Sequence, residues 1–97
     1  MKKKKPYVIA RASKAGVFAG HLKSFKKKRV VLLNARRIWY WEGAATLSQL
    51  AQEGTSKPDG CKFPCAVNKV VLTEVIELLS CTEAAQASIE GVKIWRQ

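Results

Sequence analysis

The sequence predicts an α+β fold: a small antiparallel or mixed β-sheet, with a small barrel as one form of it, and two short helices. Three observations predict this. Residues 7–41 are rich in Val, Ile, Leu and aromatic residues, in runs short enough for strands and broken by "SKAG" and "KKK". The apolar period changes to that of a helix at 45–54 and again at 82–91. The chain has 97 residues, 47% of them hydrophobic, which is one domain's worth of chain with enough apolar matter for a single core. Residues 1–6 read as a basic tail and 7–97 as one domain.

The elements follow in order. "YVIARA" (7–12) is a short strand, and "SKAG" (13–16) a turn. "GVFAGHLKSF" (16–25) alternates, with Phe18, Gly20, Leu22 and Ser24 on one face and Val17, Ala19, His21, Lys23 and Phe25 on the other. Gly20 inside this strand predicts a bend, a bulge or a close backbone approach. "RVVLLNARRIWYW" (29–41) is the most strand-like segment, so 16–25 and 29–41 form an antiparallel hairpin with lysines at its tip. "ATLSQLAQEG" (45–54) reads as a helix ended by Gly54, and 55–67 as a loop containing Pro58 and Pro64. "NKVVLTEVIELLSCT" (68–82) reads either as a strand or as a helix capped by Thr73; its β-branched content favours a strand over 69–77. "TEAAQASIEG" is a helix with Thr82 as N-cap, Glu83 at its positive end and Gly91 at its close. "VKIW" (92–95) adds a final edge strand.

The net charge of +11 is unevenly placed. Residues 1–41 carry thirteen Lys or Arg and no Asp or Glu, whereas residues 42–97 carry five basic and seven acidic residues. Such asymmetry points to a polyanionic partner: nucleic acid, a nucleotide or an acidic surface. Lys23, Lys26, Lys27, Lys28 and Arg29 cluster at one end of the hairpin, and Arg36 and Arg37 follow on its second strand. These seven are the candidate phosphate contacts. A charged hairpin tip is also a means by which a sheet stays soluble.

"NARRIWYWEGA" (34–44) concentrates arginine and aromatics. In an extended strand, Arg37, Trp39 and Trp41 share one face, while Arg36, Ile38 and Tyr40 share the other with Val30, Leu32 and Asn34. Trp39 and Trp41 are then either a stacking platform for a base or a cover for a core or subunit contact.

Cys61, Cys65 and Cys81 are an odd count and read as reduced thiols. "CKFPC", with Cys81 and His21, offers four candidate zinc ligands, but there is no second close pair; neither a metal nor a cofactor is expected. No nucleophile, base and orienting group form a recognisable set, so a non-enzymatic protein is expected. No apolar run reaches the ~20 residues that span a bilayer, and "MKKKKPYVIARA" lacks the apolar stretch of a signal peptide. No membrane partner is expected. Small sheets leave edges to be covered, so a homo-oligomer is one expectation.

"AGVFAGHLKS", "VVLLNARRIWYWEGAATLSQLA", "KFPCAV" and "VVLTEVIELL" together make the sequence similar to a family of small proteins from tailed-phage and prophage genomes, catalogued as a domain of unknown function. The resemblance spans roughly residues 7–95. It implies a phage origin, hence the host cytoplasm or the virion as location, and no activity. "GHLKSFKKKRVVLLNA" also resembles the bent strands of Sm-like or SH3-like small barrels. Three functions follow as expectations: a phage accessory protein binding nucleic acid through the basic hairpin, a virion or assembly component, or a counter-defence protein that sequesters a nucleotide signal.

Overall fold

The computed structural model describes residues 5–96. Among them, β1 (Tyr7–Ala12), β2 (Gly16–Lys26), β3 (Arg29–Arg37), β4 (Val67–Leu72) and β5 (Val75–Ser80) form one antiparallel sheet in the order β4-β3-β2-β1-β5. Helices α1 (Leu47–Glu53) and α2 (Glu83–Gly91) pack on it and on each other. The fold class is the α+β one the sequence predicts.

The sheet is not closed into a barrel, but it cannot be flat. β4 and β5 stand at opposite edges, four strand spacings apart, or ~19 Å in a flat sheet. Only Thr73 and Glu74 separate them in the chain, a span of at most ~11 Å from Leu72 to Val75. The sheet must curl until its edges meet at this corner. Val8, Ala10, Phe18, Val30, Leu32, Leu72 and Val75 fill the inside of the curl as one buried cluster. Tyr7, Ile9, Ala19 and Ile38 point outward and are covered by Leu50, Ala51, Phe63 and Ile89. Burying both faces explains why β1 and β3 read as nearly continuous apolar runs.

The corner resolves the ambiguous segment 68–82: it is neither one strand nor a helix, but two strands with a two-residue turn. The alternation lapses at Glu74 because the chain turns there. "VKIW" contributes only a single bridge, Phe63 to Ile94, in place of a strand. The aromatic strand is also shorter than the sequence predicts. β3 ends at Arg37, and Tyr40 pairs only with Lys62.

Both helices begin where hydroxyl caps allow. Thr46 accepts from the Gln49 amide at 3.1 Å, and Thr82 from the Ala85 amide at 3.0 Å. Gly54 ends α1 at φ 78°, and a Cβ there would strike the Ser88 side chain of α2. α2 ends at Gly91, as expected, with Val92 as its C-cap residue.

Candidate functional site

One irregularity decides where the arginines go. Ala19 pairs with Arg36 and His21 with Leu33, so Gly20 of β2 faces both Asn34 and Ala35 of β3. This is a β-bulge, with Asn34 at φ 49°, a conformation that asparagine tolerates. A Cβ on Gly20 would lie 3.0 Å from the Ala35 Cα, so only glycine fits the close approach without a shift. After the extra residue every side chain changes face. Arg36 therefore does not share a face with Val30 and Leu32 as plain alternation predicts. Ala35 joins those two, and the Arg37 guanidinium stacks over Phe18 of the same cluster at 4.3 Å.

Arg36 turns to the helix side and is buried. Its Nε donates to the Pro64 carbonyl at 3.1 Å. Nη1 donates to Ile89 (3.0 Å) and Val92 (2.7 Å), and Nη2 to Phe63 (2.7 Å) and Lys93 (3.4 Å). All five guanidinium N–H donors are thus used. They clamp the C-terminal end of α2, where carbonyls lack helical partners, to the 63–64 segment. Desolvation lowers its pKa, and the carbonyl cage compensates for the buried charge. Arg36 is a structural cation with no donor left for phosphate, which corrects its place among the candidate contacts.

The hairpin tip is the opposite case. Lys23, Lys26, Lys27, Lys28 and Arg29 are all exposed. Among the described residues, the Arg11–Glu77 ion pair at 3.0 Å and the His21–Glu90 contact at 3.6 Å involve none of them. Lys26 pairs with Arg29, leaving a two-residue turn whose first residue, Lys27, takes φ 56°. The tip is held in place from below. The Val75 amide donates to the Lys28 carbonyl at 2.9 Å, and so ties the turn to the β4–β5 corner.

Arg37, Trp39 and Trp41 lie at the other end of the hairpin. Arg37 is eight residues from Arg29, or ~26 Å along a strand, so it cannot join the tip cluster. Although the strand ends at Arg37, the three still line one shallow recess of about 320 Å³, with Lys14. Trp39 is 63% exposed. Trp41 is half-buried against the outer core, and its indole N–H donates to the Ala44 carbonyl at 3.1 Å. Arg37 Nη1 is held by the Ala15 carbonyl.

Sequence reasoning missed a cleft of about 620 Å³ between the start of β1, β2 and α2, lined in part by Tyr7, His21, Cys81 and Glu83. The Tyr7 and His21 rings meet edge to face at 5.1 Å. The Tyr7 hydroxyl is buried and has no hydrogen-bond partner among the described residues, and burial with the Glu90 carboxylate nearby raises its pKa, so it stays protonated. Burial pushes the Cys81 thiol up to about 11. The one signal in the sequence was His21, a lone histidine in mid-strand. All three cysteines are free, and no group of three or more His, Cys, Asp or Glu is placed to hold a metal ion among the described residues. No described helix is long and apolar enough to cross a membrane.

The family model described as "Domain of unknown function (DUF6948)" matches residues 5–89, from the start of β1 almost to the end of α2. The chain belongs to this family. The DUF6948 match takes in the whole sheet, the basic tip and Arg36. Neither the curated proteins nor the solved structures contain a match.

Proposed function

We propose that this DUF6948 member is a non-enzymatic protein that binds a polyanion, nucleic acid above all, through the β2–β3 hairpin tip. The observation that carries the reading is the tip itself: five exposed cations without ion-pair partners among the described residues, on a turn hydrogen-bonded to the β4–β5 corner. Cations free of protein partners and set on a fixed backbone are available to displace the counterions condensed on a phosphate chain. The proposal extends to a role as a phage accessory protein; the phage setting rests on sequence resemblance alone.

Salt dependence tests the reading. With about five phosphate contacts, affinity for a DNA or RNA oligonucleotide falls roughly 100- to 500-fold between 50 and 200 mM salt. Fluorescence anisotropy with labelled oligonucleotides reads this directly. No binding to either nucleic acid at 50 mM salt would remove the proposal.

A second reading is favoured by the recess at the far end. Lys14 and Arg37 supply charge, and Trp39 supplies an exposed indole face, a combination suited to a free nucleotide. Calorimetry against mononucleotides and cyclic nucleotides tests it: heat that disappears in Trp39→Ala supports the reading, and uniform silence refutes it.

A further inference from the structure

We infer that the hairpin tip takes single-stranded nucleic acid in preference to duplex, with Phe25 stacking on an unpaired base. The inference deepens the polyanion reading above and rests on it. Phe25 is 60% exposed, although it sits in a strand one residue from the turn and among five cations. Plain alternation would place it with His21 on the helix side of the sheet. A second bulge prevents this: Leu22 pairs with Leu32 but Ser24 with Val31, so Lys23 is an extra residue in β2. Beyond it, Phe25 pairs with Val30 and so takes the face of Val30, a member of the inner cluster. Bulges re-aim side chains in this way. The outcome is an aromatic ring on one face of the tip, Lys26 and Arg29 paired on the other, and Lys27 and Lys28 at the turn between them.

The chemistry of this arrangement selects its ligand. Lysines alone contact the phosphates of duplex and single strand alike. An aromatic face adds affinity only where a base offers its own π-face, and in a duplex those faces are covered by neighbouring pairs. An anionic membrane is the other surface that attracts lysines. Its grip, however, grows with the apolar area inserted, and the tip offers a single ring.

The test compares a labelled single-stranded oligothymidylate with a duplex of equal length at 50 mM salt, using the full chain. Wild type is expected to bind the single strand at least about fivefold more tightly. Phe25→Ala and Phe25→Leu should lose that advantage while keeping duplex affinity and salt slope, and Phe25→Trp should retain it. Thermal melts of each variant confirm that the exposed position leaves the fold intact. Equal affinity of wild type for both forms overturns the inference alone, as does a Phe25→Ala variant that binds the single strand undiminished. Phe25-dependent binding to phosphatidylserine vesicles, with oligonucleotide binding indifferent to Phe25, assigns the ring to lipid and also overturns it. Silence toward both nucleic acids removes the inference together with the reading beneath it.

Discussion

Arg36 and the hairpin tip are both basic and lie on the same strand pair, but their situations are opposite. Arg36 is buried and spends all five donors on backbone carbonyls. The tip cations are exposed and, among the described residues, unpaired. The same charge is structural where it is desolvated and saturated, and available to a partner where it is not. Net charge alone does not separate the two; partner count and burial do.

The largest expected effect sharpens the structural side of this contrast. Arg36→Met leaves five carbonyls without their donor and should cost ~3–5 kcal/mol, a large part of the stability of a small domain. Arg36→Lys restores the charge but offers three donors for five carbonyls, so it should also unfold at lower urea. A urea midpoint close to wild type in either variant would break the comparison.

Gly20 sets which arginine is buried on the helix side, so it comes next. Gly20→Ala forces a Cβ to 3.0 Å from Ala35 and should cost ~1–3 kcal/mol, read by the same urea titration. A neutral result would show that the bulge is pliable and that Arg36 is not held by it.

The helix side also carries a pH dependence. The Cys81 thiol has an ordinary value of 9.0 and is raised by burial to about 11; Tyr7 is raised in the same direction. The unfolded chain therefore loses these protons first. The stability they contribute is full below about pH 9 and is lost as pH rises toward 11. Melting temperatures between pH 8 and 10.5 should fall, and fall less in Cys81→Ala. A parallel fall in both proteins would contradict this role for Cys81.

The smallest effect on stability is expected at the tip. Combined Lys26→Ala, Lys27→Ala and Lys28→Ala substitutions should shift unfolding by no more than ~0.5 kcal/mol each. A larger loss would mean that these side chains, like Arg36, are structural.

The α+β class, the hairpin, the Thr82 cap and the Gly54 stop were legible because each rests on local chemistry. Gly20 was legible as an irregularity, since a side-chain-free residue within an apolar strand marks a close approach. What the irregularity did was not legible. Asn34 carries no unambiguous bulge signal, yet one extra residue reverses the face of everything after it, and so the grouping of Arg36 was inverted. A partial clue was present: adjacent arginines on a strand buried on both faces cannot both reach water. The five carbonyls that receive Arg36 come from segments 27 to 57 residues away, a tertiary fact without local trace. The β4–β5 corner was missed for a similar reason, because Thr73 and Glu74 turn the chain without glycine or proline. The tip residues needed only their own exposure, and sequence placed them well.

The most direct measurement is the salt dependence of oligonucleotide binding in wild type and in the triple lysine variant, from 50 to 200 mM salt. Availability of the tip predicts a steep wild-type slope that becomes shallower by about 2–3 when the three lysines are removed, with the fold intact. An unchanged slope in the triple variant, or no binding by wild type at 50 mM salt, would contradict it.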